Sequence, residues 1–500
     1  MTKRISRRYF LGAALASGAF GASPTWAEAP LTSLRPIARG GDFLKKLQKP
    51  AEALIERANL GGAVAFCVAN VETGFILEAH EPVLGQPPAS VAKALTAAYA
   101  LEALGPGHHF VTRLIATGEV TDGVVQGDLI LAGGGDPTLD TDGLSKLAAL
   151  LKDAGIQEVR GDFKVWGGAL PFAARISKEQ PDHVGYSPAV SGLNLNFNRV
   201  HFEWRRAGNA YKVTMQGRSE THRPDVHFAR MGVVPRSLPV YTYEDMPGRD
   251  EWTVAKGALG ESGARWLPVR KPELYAGEVF QTFAAAQGIK LTQPVPIESL
   301  PDGTELTRHE SAPLRVILRD MLKWSTNLTA EVVGLSATAA RTGKTPKDLP
   351  SSAAVMNAWA KERFALTSIA FVDHSGLGER SRISAPDMMT ALSALRKTTG
   401  LKELLKPFKM LDERGRLIKD HPLHVRAKTG TLNFVSGLAG FIDLPDGTEL
   451  VFAIFAANLE QRAKLSIAER ERPEGGASWN RRAKVLQQAL IERWGVLYSA

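Results

Sequence analysis

Pro87-Pro88-Ala89-Ser90-Val91-Ala92-Lys93-Ala94-Leu95-Thr96-Ala97-Ala98-Tyr99-Ala100-Leu101 leads two prolines and a serine into an Ala/Leu run without internal Gly or Pro. This pattern predicts a helix that starts at or near Ser90 and is buried on most faces. Ser90 then sits at the positive end of a helix macrodipole, with Lys93 one turn further along the same face. A hydroxyl beside an amine, in surroundings apolar enough to keep the amine partly neutral, is a nucleophile with its base. The plain alternative is a Ser N-cap followed by a solvated Lys. Ser90 is the only serine in the chain with Lys three residues on, so the choice rests on partners elsewhere.

The 500 residues are too many for one ordinary domain, so two or three are expected. The formal net charge of +9 suits a polyanionic neighbourhood such as cell-wall polymer, a membrane surface or nucleic acid. No Lys/Arg block is interleaved with aromatics and no nucleic-acid module is present, so no nucleic-acid partner is expected. The single Cys67 excludes an intrachain disulfide and a cysteine zinc site, and its strand-like apolar surroundings predict a buried thiol. At the start, Arg7-Arg8-Tyr9-Phe10-Leu11 precedes a modest apolar stretch and small residues near Ala27 and Ala29. Residues 1–29 read as a signal peptide of twin-arginine type, with an ordinary signal as the alternative. No later run is long enough to span a bilayer, so a mature chain outside the cytoplasm, without a transmembrane segment, is expected.

Along the chain, the pattern predicts an amphipathic helix over 43–59 and a hairpin of strands over 62–69 and 74–79. From about Val111 the texture changes to short strands and turns. Strands are expected over 112–117, 124–132 and 159–166, with a helix over 143–154. Gly133-Gly134-Gly135-Asp136-Pro137 lacks a following Gly-Lys-Ser/Thr and reads as a turn, not a phosphate loop. The strict alternation Leu193-Asn194-Leu195-Asn196-Phe197-Asn198 predicts a strand with apolar residues on one face and three Asn on the other. His108 and His109 have no partners at metal-ligand spacing and are expected at the surface or on an edge strand. Helices are expected over 274–287, 314–322, 328–341, 351–364 and 385–397, then strands around Val425, Gly437 and Leu450. A closing helix over 480–494 presents an apolar face that suits packing on a sheet better than a membrane.

Two further short signals join Ser90 and Lys93: Ser325-Thr326-Asn327 in a helical segment and Lys428-Thr429-Gly430-Thr431 on a strand. Each is weak alone. A second Ser-x-Asn at Ser478-Trp479-Asn480 reads as a helix N-cap, and Lys397-Thr398-Thr399-Gly400 falls at a helix end. The order and context of the three signals resemble the serine β-lactamase and penicillin-binding-protein superfamily. Ser90 and Ser325 lie 235 positions apart (325 − 90), more than a β-lactamase or simple carboxypeptidase needs. With the strands between them, the chain resembles the class C low-molecular-mass penicillin-binding proteins, the D-alanyl-D-alanine carboxypeptidase/endopeptidase family. Gly127-Asp128-Leu129 through Leu139, Leu193 to Asn198, Asp373 to Leu377 and Gly437 to Phe441 extend the likeness over nearly all of the chain after residue 29.

The resemblance implies an α/β fold: a transpeptidase-like antiparallel sheet flanked by helices, built from residues 30–108 and 307–500. A nested, mostly β insertion would occupy 109–306. It implies that Ser90 attacks the carbonyl between the two terminal D-alanines of a peptidoglycan stem peptide. Lys93 would take its proton, kept neutral with help from Lys428. Ser325 would pass a proton to the leaving amine, and Asn327 would hold Lys93 and the substrate amide. Thr429 and Thr431 would bind the terminal carboxylate, while Gly430 leaves room for close backbone approach. The backbone N–H groups of Ser90 and Thr431 would form the oxyanion hole. No metal or cofactor is required, and β-lactams should acylate Ser90. The implied location is the bacterial periplasm.

Two departures bear on substrate preference. The family commonly has an Asp shortly after the strand ending here at Val165, where this chain has Trp166-Gly167-Gly168-Ala169-Leu170-Pro171-Phe172. In Asp373-His374-Ser375-Gly376-Leu377-Gly378-Glu379, the residues His374, Gly378 and Glu379 replace the usual Gly, Ser and Arg. Two other readings stay open: a β-lactamase, against which stands the absence of Glu-x-x-Leu-Asn after Asn327, and a non-hydrolytic wall-binding or β-lactam-sensing protein. A pure binder has no use for an activated serine.

Overall fold

Five strands carry the central sheet, and they come from both ends of the chain. They are β1 (Ala63–Asn70), β2 (Ile76–His80), β3 (His424–Leu432), β4 (Val435–Asp443) and β5 (Glu449–Ala457). Their spatial order is β3-β4-β5-β1-β2, antiparallel throughout, so β3 is an edge strand. The computed structural model describes residues 43–412 and 414–499; the signal-peptide reading over 1–29 lies outside them. Residues 43–48 hold the short helix Phe43–Lys46, and a separate helix covers Ala51–Ala58. The one helix expected over 43–59 is therefore two, because Pro50 at the N-cap has no N–H to continue a helical ladder.

The alternation of β1, β4 and β5 sends side chains to two separate cores. Cys67, Ala439, Phe441, Val451 and Phe455 pack with the helices on one face, and Phe66, Val68, Leu438, Ile442 and Ile454 pack on the other. Central to the first face is α1 (Ala92–Leu104), whose residues from Ala92 to Leu101 are all buried. Packed with it are α2 (Leu314–Trp324), α3 (Asn327–Thr342) and α4 (Ala385–Thr398). The second face is covered by α5 (Gly476–Tyr498), through Trp479, Leu486, Leu490 and Trp494. The apolar stripe of α5 thus lies on the sheet. Its helix starts at Gly476, so Ser478 is a first-turn residue and not the N-cap.

Among the described residues, all remaining strands lie between Val111 and Glu310. They form a five-stranded mixed sheet and three three-stranded sheets, around a hydrophobic cluster of their own that includes Leu131, Phe163, Phe202, Trp252 and Phe280. The expected strand over 124–132 is divided into Val124–Val125 and Leu129–Gly133, and that over 159–166 into Glu158–Val159 and Phe163–Trp166.

The alternation of Leu193–Asn198 does not make a strand with an outer Asn face. Asn196, Phe197 and Asn198 take left-handed backbone, with φ of 52°, 58° and 49°. Asn194 and Asn198 are as buried as Leu193 and Leu195. Asn is among the few side chains that tolerate this region, because its short amide replaces the backbone's lost partners. Asn198 Oδ1 accepts from Leu195 N at 3.0 Å, and its Nδ2 donates to Ala189 O at 3.0 Å and to Asn194 Oδ1 at 2.7 Å. Asn196 similarly joins Thr141 and Tyr275, tying the turn to two helices. Asn198→Ala would strand a buried N–H and a carbonyl in a turn alanine tolerates poorly. We expect it to lower unfolding free energy by about 2–4 kcal/mol, read by denaturant titration.

Candidate active site

Ser90 lies in a 3-10 turn, Ala89–Val91, that runs directly into α1, and Lys93 is the second residue of α1. Pro88 precedes the turn, and Ala89 adopts φ 46°, a left-handed conformation that costs a non-glycine residue roughly 1–2 kcal/mol. Ser90 makes no side-chain cap bond; its hydroxyl meets Lys93 instead. The turn is held from two sides by glycines. A Cβ on Gly376 would lie 1.9 Å from Ala89 O, and one on Gly430 would lie 2.6 Å from Pro88 O. The close approach that Gly430 permits is thus made by the protein's own backbone at Pro88–Ser90.

Lys93 is fully buried, and its Nζ lies 2.9 Å from Ser90 Oγ, 2.7 Å from Asn327 Oδ1 and 2.7 Å from Ser375 O. The last two can only accept hydrogen bonds. A neutral amine has two N–H bonds, which these carbonyl oxygens engage, and its lone pair then faces the Ser90 hydroxyl. Burial pushes the Lys93 ammonium down to about 8, against the opposing pull of Asp373 and Glu331.

Asn327 opens α3, and Ser325 caps α2 in left-handed backbone at φ 62°. This tight junction of two helices brings both residues of the Ser-x-Asn signal to Lys93 and Lys428. Lys428, buried in β3, donates to Ser325 Oγ at 2.9 Å and to Thr429 O at 2.7 Å. Burial, then the neighbouring Lys93 and Lys406, push its ammonium well below the ordinary value. The repulsion between the two lysines is felt at Lys428, whereas burial is what lowers Lys93. Thr429 and Thr431 share the face of β3 opposite to Lys428 and Gly430, and of the two threonines Thr431 is the more exposed. Asn327 Nδ2 donates to the Tyr186 carbonyl at 2.8 Å, so any substrate amide at this nitrogen competes with that bond.

A cavity of about 330 Å³ opens onto Ser90, Ser325, Asn327 and Thr431, with Tyr186 and Gln180 on its wall. Another of about 480 Å³, around Pro106, Arg315 and Arg319, touches none of these residues.

Glu331 is a site residue that sequence reasoning missed. It stands four residues after Asn327 on the same helix face, alone among Leu328, Ala330, Val332 and Val333. An acid in an apolar helix one turn from the Asn was the available signal. It is fully buried and accepts from His374 N at 3.0 Å and Ser375 N at 2.9 Å. Asp373 accepts from Gly376 N at 2.7 Å and Gly378 N at 2.6 Å. Together they shape the loop that turns the Ser375 carbonyl onto Lys93. Burial raises both carboxyls above their ordinary values, while the backbone donors and Lys93 oppose it.

The unusual residues of this loop have separate explanations. His374 packs over Gly334, where a Cβ would come within 2.2 Å, and stacks on Tyr99. Its Nε2 meets Ser352 Oγ at 2.8 Å, and burial pushes its pKa down to about 3, so the ring is neutral packing. Glu379 pairs with Arg462 at 2.6 Å and with Arg470 at 2.8 Å. The stretch from Trp166 to Phe172 contains no carboxylate. Among the described residues no group of three or more His, Cys, Asp or Glu could hold a metal, and no helix is long and apolar enough to cross a membrane.

Comparison with known proteins gives a consistent family. The family model described as the D-Ala-D-Ala carboxypeptidase 3 (S13) family matches residues 47–472. D-alanyl-D-alanine carboxypeptidase DacB of Haemophilus influenzae is 26% identical over 435 residues, covering 82% of this chain and 90% of that protein. A D-alanyl-D-alanine carboxypeptidase of Actinomadura sp. (strain R39) is 27% identical over 480 residues, covering 90% of this chain and 86% of that one. The crystal structure of penicillin binding protein 4 (dacB) from H. influenzae superposes with a TM-score of 0.73 at 18% identity, over 90% of this chain and 100% of that one. The family match spans residues 47–472 and so includes every residue of the site described above. The chain belongs to the D-Ala-D-Ala carboxypeptidase 3 (S13) family of serine peptidases and has the penicillin-binding-protein fold.

Proposed function

We propose that the protein is a periplasmic D-alanyl-D-alanine carboxypeptidase and D,D-endopeptidase that cleaves peptidoglycan stem peptides through an acyl-enzyme on Ser90. The observation that carries this reading is the Lys93 amine, buried and 2.9 Å from Ser90 Oγ with its other two neighbours both acceptors. Ser90 Oγ bonds to the penultimate D-alanine carbonyl carbon as its proton passes to Lys93. The oxyanion is met by the backbone N–H groups of Ser90 and Thr431, each worth about 3–4 kcal/mol. The C–N bond then breaks, and Ser325, bonded to Lys428, hands a proton to the leaving amine. Water hydrolyses the ester and restores Ser90. Thr429 and Thr431 hold the terminal carboxylate, Gly430 lets β3 lie against the nucleophile turn, and no cofactor takes part. β-Lactams enter the first step and stall at the ester. Residues 1–29 serve as the export signal, and residues 109–306 form a module inserted into the catalytic fold, supported by their separate hydrophobic cluster.

Intact mass before and after penicillin tests the acyl-enzyme: one persistent adduct on the Ser90 peptide is expected, and rapid turnover of the drug would favour a β-lactamase instead. Muropeptide digestion then separates carboxypeptidase from endopeptidase products.

The pH dependence follows from Lys93. Only the neutral amine can accept the Ser90 proton, so acylation should rise about tenfold per pH unit below about 8 and level off above it. The ionised form of Glu331 favours the ammonium, but burial pushes that carboxyl up to about 8, so Glu331→Gln should move only the upper part of the rising limb, where Glu331 ionises, to lower pH. Stopped-flow acylation by a fluorescent penicillin between pH 6 and 9.5 measures both; an unmoved limb in the variant would remove Glu331 from the account.

A further inference from the structure

Within residues 109–306, the strand Arg199–Ala207 pairs on one side with Ala210–Gln216 and on the other with Ser262–Pro268, antiparallel to both. Strand alternation separates two faces. Phe202 and, across from it, Met215 enter the hydrophobic cluster of this region. On the opposite face, Gln216, His201 and Trp266 form one row across the three strands. Thr214, Glu203 and Ala264 form the next, and Lys212, Arg205 and Ser262 the third. Trp266 is 37% exposed, and the small Ala264 and Ser262 put no bulk beside its indole.

Two groups fix the indole. The buried His201 ring meets it in a T-shaped contact, with ring centres 4.9 Å apart. The Arg199 guanidinium lies 5.7 Å from the Trp266 ring centre and 5.3 Å from that of Phe197. Half-buried, Arg199 makes no side-chain hydrogen bond or ion pair among the described residues, and its Nε is buried without a partner. A guanidinium has five N–H donors, and buried donors are normally engaged. The carboxylates at hand are taken by other groups: Glu203 accepts from Arg218 at 3.1 Å, and Asp225 accepts from Gln216 at 3.0 Å. Arg205 and Lys212 add two further positive charges to the face. The strand Ser262–Pro268 also reaches the catalytic cavity. Arg265, on its other face, pairs with Glu471 in the cavity wall. A Cβ on Gly185 would lie 3.1 Å from Trp266 O, and the next residue, Tyr186, gives its carbonyl to Asn327.

We propose that this sheet face is a saccharide-binding platform, separate from the catalytic cavity, on which a carboxylate-bearing pyranose lies against the Trp266 indole with its carboxylate on Arg199. The occupant follows from the groups present. The C–H face of a pyranose is apolar and weakly positive, which suits the negative face of an indole. Sugar hydroxyls both donate and accept, and Thr214, Gln216 and Glu203 offer both roles in the neighbouring rows. A neutral sugar would leave Arg199 without an anion, whereas a carboxylate supplies charge-assisted hydrogen bonds. The inference stands independently of the acyl-enzyme reading. Where both hold, a glycan seated on Trp266 keeps the catalytic cavity beside its own strand.

Ligand-observed NMR titration of the mature protein tests this, with and without prior treatment with penicillin. The probes are N-acetylmuramic acid, glucuronic acid and N-acetylglucosamine, the last being the first without its carboxylate-bearing ether. At least one acid should bind about fivefold or more tighter than N-acetylglucosamine, and the tighter acid identifies the source of the carboxylate, a wall glycan or a uronic-acid polymer. Trp266→Ala and Arg199→Gln should each weaken acid binding about tenfold, with the rate of penicillin acylation unchanged. Arg199→Gln should also erase the preference for acids. No saturable binding, equal binding of acid and neutral sugars, or acid binding that survives both substitutions would overturn the platform. So would loss of binding on penicillin treatment, since that places the sugar in the catalytic cavity. If Arg199→Gln does not fold, Trp266→Ala decides alone. A protein that binds the acids but is not acylated would keep the platform and lose the acyl-enzyme reading.

Discussion

Ser90→Ala should abolish the penicillin adduct and lower hydrolysis of a D-Ala-D-Ala substrate by about four to six orders of magnitude. The loss is that large because, among the described residues, no other hydroxyl bonded to Lys93 can replace the nucleophile. Ser325 is bonded to Lys428, and Ser375 meets Lys93 through its carbonyl, not its hydroxyl. The fold should survive the change. Ser90 is half-buried, makes no cap bond, and gives Lys93 only one of three neighbours, leaving Asn327 and Ser375 in place. Circular dichroism and thermal unfolding should therefore match wild type to within a few degrees, while mass spectrometry shows no adduct. An adduct that persists in the folded variant would place the nucleophile elsewhere.

Gly376→Ala should produce the largest effect on stability, with loss of acylation as its consequence. Two penalties add. At φ 75° an alanine pays roughly 1–2 kcal/mol of backbone strain. Its methyl would also lie 1.9 Å from Ala89 O and 2.6 Å from Ala89 C, and these are backbone atoms that cannot rotate away. Either the loop carrying Ser375 or the turn carrying Ser90 must shift, and both hold Lys93. We expect a loss of roughly 3–5 kcal/mol in unfolding free energy. In whatever fraction folds, acylation should slow at least about a hundredfold, because a displacement of an ångström at the reacting atoms carries that cost. A control methyl at Gly208, which has positive φ but nothing within 4 Å, should pay the backbone strain alone and acylate normally. Urea titration together with the penicillin rate separates the two outcomes; a Gly376→Ala protein as stable and as reactive as wild type would show that this packing does not hold the turn.

Much of the fold was legible because its signals are local. The Gly- and Pro-free run after Ser90 is a helix because nothing in it opposes one, and its largely Ala/Leu character pointed to burial on most faces; the structure buries every residue from Ala92 to Leu101. The strands around Val425, Gly437 and Leu450 follow from short apolar runs, continuous over Leu450–Ala457 where both faces are buried. Local reading failed where a side chain replaces the backbone's own partner. Three alternating asparagines look like the outer face of a strand, yet they are buried amides that hold a left-handed turn. Pro50 likewise divides a helix whose apolar pattern runs through it.

For the site, the sequence by itself determined which residue types were available and in what order: Ser90 with Lys93 one turn on, Ser325 with Asn327, and Lys428 ahead of Thr429, Gly430 and Thr431. Helical and strand periods set the spacing within each signal, so each could be read locally. Only the tertiary structure decided what surrounds them. Lys93 and Asn327 are 234 residues apart and 2.7 Å distant, and Lys93 and Ser375 are 282 apart. Burial, which lowers the Lys93 amine, and the two carboxylates that pull it back are properties of packing, as is the Arg470–Glu471 turn brought beside the nucleophile from beyond the last strand. Charge in a low-dielectric interior depends on which groups lie within a few ångströms, and sequence separation places no bound on that distance.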